Sequence, residues 1–170
     1  MSVEPAPIAA PSALGYPGKH VHWTLFAAIL AAGVFARAWE FGRLPPGLNP
    51  DETSIAVEAY SLLHFGVDRN GMSYPVQFIA WGDGQSVPYA YLMMPGIALT
   101  GHVSPTTIRL PMLITGILSL PLVYLVGKWT VDRGFGLLAM FFLAISPWHI
   151  VLSRPVSTRY AFCVPPAAAT

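Results

Sequence analysis

Residues 110–127 read LPMLITGILSLPLVYLVG, eighteen positions without one charged side chain. The hydrocarbon core of a bilayer is about 30 Å thick and takes roughly 20 apolar residues to cross as a helix, so this stretch is read as a membrane span. Only residues 128–133 separate it from a second uncharged run, residues 134–153 (GFGLLAMFFLAISPWHIVLS). A soluble fold rarely holds two such runs so close together. Composition agrees: 54% of the 170 residues are hydrophobic and 10% charged, against about 25% charged in a soluble domain. Too few charges remain to cover a water-facing surface, and an all-α integral membrane protein is expected.

Lys128 and Arg133 flank the link between the two runs, which places that link in the cytoplasm by the excess of basic residues found there. A third apolar segment covers residues 21–39, with Trp23 and Trp39 at its ends as interface anchors and Arg37 in its last turn, expected to snorkel to the headgroups. A rival reading takes residues 24–35 as the apolar core of a signal peptide, with Ala36-Arg37-Ala38 as the cleavage site. The arginine at that site and the single lysine in the tail before it weigh against that. Residues 1–20, rich in Pro, Ala and Ser, read as a disordered cytoplasmic tail. Residues 87–101 are apolar but short and carry Pro88 and Pro95, which fits a juxtamembrane helix. Counting them as a span would put Lys128 and Arg133 outside. The expected architecture is therefore three spans, at about 21–39, 110–127 and 135–152, with residues 40–108 as an external loop. Residues 155–170 continue neither an apolar period nor a loop leading to another span, and the chain reads as incomplete.

The external loop is acidic. It holds Glu40, Asp51, Glu52, Glu58, Asp68 and Asp83, opposed by Arg43 and Arg69. A helix is predicted over 51–65: Asn49 is a good N-cap, Pro50 suits the first helical position, Glu52 completes a capping box, and Gly66 supplies the stop. Ile55, Ala59, Leu62 and Leu63 fall on one face of it, which suits packing against membrane or protein.

Chemistry is sought first at Asp51 and Glu52. A carboxylate at a membrane surface can act as general base toward a hydroxyl or amine, and the pair can hold a divalent cation facing a phosphate leaving group. Acidic residues in a first helical turn are equally explained by capping and the helix dipole. Arg109, at the start of a span, can clamp a lipid phosphate or serve as a headgroup anchor. His149 and Arg154 frame the outer end of the last span and are candidate contacts for the donor phosphate or substrate, although a histidine there is more commonly a hydrogen-bonded anchor. Gln85 and Tyr89 can bond a sugar, although Gln85 also suits a polar cap. The lone cysteine, Cys163, excludes an internal disulfide and a cysteine zinc site, and the net charge of +1 without a basic cluster gives no sign of nucleic-acid binding.

Four stretches then resemble one family. Residues 44–52 (LPPGLNPDE) with 58–63 (EAYSLL) come first, followed by residues 66–71 (GVDRNG) with Pro75. Residues 88–92 (PYAYL) through 108–111 (IRLP), and 136–139 (GLLA) through 143–150 (LAISPWHI) with Ser153 and Arg154, complete the set. In order and spacing they resemble the GT-C glycosyltransferases of the protein O-mannosyltransferase and aminoarabinose-transferase type, glycosyltransferase family 39 and its relatives. The resemblance implies a partial GT-C module in a bacterial plasma membrane, with juxtamembrane helices in its first external loop. It implies a polyprenyl-phosphate-linked sugar donor, Asp51 as the carboxylate that activates the acceptor, Glu52 assisting in acceptor or metal binding, and Arg109 on the donor phosphate. Members of that family have many more spans, so the chain is expected to be an amino-terminal part. The alternatives from the residues alone are a non-catalytic membrane subunit or pseudoenzyme remnant and, less in keeping with spans almost devoid of charge, a transporter fragment.

Overall fold

The computed structural model describes residues 18–155 apart from 81, 82 and 86. The expected tail at residues 1–20, up to residue 17, and the end of the chain from residue 156 lie outside the described residues, as does the side chain of Gln85. The chain is mainly helical. Helices α1 (Lys19–Ala38) and α2 (Pro50–Phe65) are followed by a two-stranded antiparallel hairpin of β1 (Phe78–Ala80) and β2 (Asp83–Gln85). Helices α3 (Val87–Thr100), α4 (Pro105–Thr130), α5 (Arg133–Ile145) and α6 (Pro147–Leu152) complete it. The hairpin, with Phe78 opposite Gln85 and Ala80 opposite Asp83, has no counterpart in the sequence reading.

Helices α1 and α4 are long and apolar enough to cross a membrane, by length and composition. With 26 residues α4 is about 39 Å long. Only 17% of the most apolar window of α1 and 22% of that of α4 are buried within the molecule, unlike the core helix of a soluble protein. On α4 the outward stripe is Ile114, Leu118, Leu122 and Val126, spaced four apart. Such a stripe is stable against lipid or another apolar surface, and unfavourable against water.

The run expected to span at 135–152 is divided between two helices instead of forming one. Helix α5 has 13 residues and covers about 20 Å, short of the hydrocarbon core. It stops at Ile145 because Pro147 pushes the residue before it out of the helical region: Ser146 sits at φ −62°, ψ 114°. The Ser146 hydroxyl then accepts from the His149 N–H and starts α6. Among the described residues, two helices and not three pass the length test for a span.

Helix α2 starts as its capping residues require. Asn49 Oδ1 accepts from the Glu52 N–H at 2.8 Å, and Glu52 Oε2 accepts from the Asn49 N–H at 3.1 Å. Gly66 ends it at φ 70°. Ile55, Ala59 and Leu62 are buried and Leu63 packs against the same core, so the predicted apolar face meets protein. Its partners are Ala90, Met93 and Ile97 of α3 and Ile108 at the start of α4. Farther along α4, Leu120 and Tyr124 form a second core with Leu137, Met140 and Ala144 of α5 and with Phe26, Ile29 and Leu30 of α1. Helix α4 thus joins the loop module at one end to the α1–α5 bundle at the other.

Candidate functional site

The start of α4 carries Arg109, and the start of α2 carries Glu52. The two meet in a bidentate ion pair: Arg109 Nε donates to Glu52 Oε1 and Nη2 to Oε2, both at 2.9 Å, with each side chain 1% exposed. The same guanidinium donates from Nη1 to the Pro45 carbonyl at 2.9 Å and from Nη2 to the Gly47 carbonyl at 2.6 Å. The Pro45-Pro46-Gly47 turn, the cap of α2 and the head of α4 are therefore fastened to one another by one arginine. Fork-to-fork geometry of this kind is both strong and directional.

This arrangement corrects two sequence expectations. Arg109 is enclosed with acceptors at Nε, Nη1 and Nη2, and so is not presented to a donor phosphate. Glu52 gives both oxygens to Arg109 and one also to the Asn49 amide, and so is not presented to a metal or acceptor. Asp51, next in the chain, is exposed on the first turn of α2. Of the expected pair it alone faces outward, and a single carboxylate is a poor cage for a divalent cation. Among the described residues no group of three or more His, Cys, Asp or Glu side chains is placed to hold a metal.

A second ion pair braces the same helix. Buried Glu58 accepts from Arg69 Nε and, through Oε2, from the Arg69 amide at 3.0 Å. Arg69 Nη2 donates to the Ser54 carbonyl and hydroxyl at 2.9 and 2.7 Å. Buried Asp68 shapes the intervening turn by accepting from the amides of Asn70 and Met72. An open groove of about 600 Å³ follows this side of α2, lined by Leu48, Pro50, Thr53, Ser54, Val57 and Arg69. Asp51 adjoins it in sequence at Pro50.

Tyr89, His149 and Arg154 find partners within the molecule. Tyr89 is 2% exposed, its hydroxyl donates to the Ile108 carbonyl at 2.8 Å, and burial pushes its phenol above the usual range. It supports α4 and does not face a sugar. His149 Nδ1 accepts from Arg37 Nη2 at 2.8 Å, which makes Nε2 the protonated nitrogen, donating to Ser119 Oγ at 3.2 Å. Ser119 in turn donates to the Gly116 carbonyl at 2.8 Å. Arg154 Nη2 donates to the Ala36 and Trp39 carbonyls, both at 2.9 Å, capping α1 where a substrate contact was expected. Gln85 closes β2 by pairing with Phe78.

Arg37 departs furthest from expectation. Snorkelling to headgroups is replaced by complete burial, with Nη1 donating to Gly33 and Ala144 carbonyls and Nη2 to Leu143. It neutralises the C-terminal carbonyls of α5, which the break at Ser146 leaves open. The signal for this was its place inside an apolar run, since an arginine there needs a polar partner. For Glu58 and Arg69 there was no such signal, eleven residues apart and across a helix end.

Comparison of the chain with protein-family models, with curated proteins and with solved structures gives no match in any of the three.

Proposed function

We propose that this chain is a membrane-embedded glycosyltransferase module of GT-C type, using a polyprenyl-phosphate-linked sugar with Asp51 as general base. The observation that carries this reading is the exposed Asp51 carboxylate on a helix start immobilised by the buried Glu52–Arg109 pair. A base aimed by a rigid platform is what proton abstraction at a membrane surface needs. On this reading Asp51 takes the proton from an acceptor hydroxyl or amine as that atom bonds to the anomeric carbon. The bond from that carbon to the phosphate oxygen breaks, and polyprenyl phosphate leaves. Glu52 and Arg109 are positioning residues. Helices α1 and α4 cross the bilayer and α5 with α6 makes a broken third pass. Residues 40–108 are external, and Lys128 and Arg133 are cytoplasmic.

The test is transfer of labelled sugar from polyprenyl-phosphate donors in membranes carrying the protein, wild type against Asp51→Asn. Loss of a positioned general base lowers turnover by about 10²- to 10⁴-fold. Equal turnover in the variant removes Asp51 from the chemistry. A second reading, a non-catalytic membrane subunit or enzyme remnant, is favoured by the inward satisfaction of Tyr89, Arg109, His149 and Arg154. Wild-type membranes that transfer no sugar from any donor tested select it.

A further inference from the structure

A second cleft lies far from Asp51. It sits where α4 ends, with Lys128 nineteen residues beyond Arg109, roughly 28 Å along the helix. Its volume is about 670 Å³, and Lys19, His22, Tyr124, Lys128, Asp132 and Arg133 line it together with Trp23. Three helices contribute: α1 brings Lys19 and His22, α4 brings Tyr124 and Lys128, and α5 begins at Arg133. Three cations share the cleft with one carboxylate, and that carboxylate also caps α5 by accepting from the Phe135 amide at 2.7 Å.

The cleft is built and not a chance gathering of surface lysines. Buried His22 hydrogen-bonds Tyr124 Oη at 2.8 Å, and Phe26 stacks edge-on against the Tyr124 ring with centroids 4.9 Å apart. Behind this, a Cβ on Gly136 would lie 2.6 Å from the Tyr124 carbonyl, so α4 and α5 touch backbone to backbone and hold Lys128 and Arg133 at a set separation. Trp23, Tyr124 and Leu137 add aromatic and apolar surface to the cleft, and Trp23 is 61% exposed. A cationic mouth over an apolar wall suits a phosphate headgroup with its acyl chain against the helices.

We propose that this cleft binds the phosphate of an anionic lipid. The inference rests on the membrane-spanning part of the reading above and is independent of Asp51 and of sugar transfer. The same cations would accept a free phosphate, and the experiment separates the two sources.

Purified, delipidated protein in detergent is titrated with phosphatidylglycerol, with phosphatidylcholine and with inorganic phosphate. The expected result is tighter binding of phosphatidylglycerol than of phosphatidylcholine. Lys128→Gln with Arg133→Gln lowers phosphatidylglycerol affinity about thirtyfold, from roughly fivefold for each basic residue near an anionic headgroup. Arg43→Gln, an exposed arginine at the other end of the molecule, leaves affinity unchanged. Displacement of the lipid by millimolar phosphate, and not by chloride, assigns the site to free phosphate; no displacement assigns it to lipid. Equal affinity for the two lipids, or equal loss in the Arg43 variant, overturns the proposal. Should the double variant not fold, salt dependence decides: wild-type affinity for phosphatidylglycerol falls with potassium chloride, and an affinity indifferent to salt refutes the site. Carbonate extraction keeps the two readings apart. Release of the protein fails the spanning reading, whereas retention without lipid preference fails the cleft alone.

Discussion

Glu52 and Arg109 stand 57 positions apart in the chain and at hydrogen-bond distance in the fold. Each is buried, so removing either leaves a charge in a dry site, which costs about 3–5 kcal/mol, whereas replacing both by apolar groups of similar size is far milder. Glu52→Gln and Arg109→Leu are each expected to lower the melting temperature of the detergent-solubilised protein sharply, and Glu52→Met with Arg109→Leu to restore much of it. Arg109→Lys gives little rescue, because an ammonium cannot serve both carboxylate oxygens and the Pro45 and Gly47 carbonyls in fixed geometry. Asp51→Asn leaves the melting temperature near wild type. Singles no worse than the double would show that the pair does not hold the site. At this scale the sequence was half legible. The capping box joining Asn49 and Glu52 can be read from a spacing of three, because a helix start is a local affair. The partner of Glu52 could not, because no local rule connects positions so distant, and a phosphate clamp or a headgroup anchor were the local accounts of Arg109.

Helices α4 and α5 form an antiparallel hairpin in which Gly127 and Gly136 let the two backbones approach closely. A Cβ on Gly127 would come 2.8 Å from Gly136 Cα, and one on Gly136 would come 3.0 Å from the Lys128 amide. Backbone atoms cannot swing aside as a side-chain tip can, so the helices must separate. Gly136→Ala is expected to destabilise by about 1–3 kcal/mol, the range for overfilling a packed contact. Gly18→Ala, where an added Cβ meets nothing within 4 Å, serves as the comparison. Thermal unfolding followed by circular dichroism reads both, and equal midpoints would mean that the hairpin does not depend on this contact. Among the elements, α1, α2 and α3 run close to where apolar character and caps predict them, whereas α4 starts at Pro105 behind a Ser104 cap, ahead of the uncharged run from residue 110. The third apolar run is not the one continuous helix expected, because it was counted as a single helix across Ser146-Pro147. The proline there sets the backbone more strongly than apolar character does. The hairpin of β1 and β2, three residues a strand, was too short to leave a period.

For the molecule as a whole, two arginines placed at helix ends bear on whether α1 belongs to the finished protein. Arg37, near the end of α1, donates to the Leu143 and Ala144 carbonyls at the end of α5 and to His149 of α6. Arg154, just past α6, donates back to the Ala36 and Trp39 carbonyls at the end of α1. Arg37 meets the negative end of α5 and Arg154 that of α1, which is where a cation is most stabilising. A signal peptide cut after Ala38 would remove Arg37, leave the α5 carbonyls without that donor, and strip Phe26, Ile29 and Leu30 from the core on Leu120 and Tyr124. Retention of α1 is therefore expected: intact mass measured on protein extracted from membranes includes residues 19–38. A mature species beginning at Trp39 would refute both the exchange of caps and the bundle built on it. Arg37→Leu sharpens the same test, because limited proteolysis should then cut between α1 and α2 faster than in wild type. An unchanged cutting rate would mean that packing alone, without the arginines, holds α1 in place.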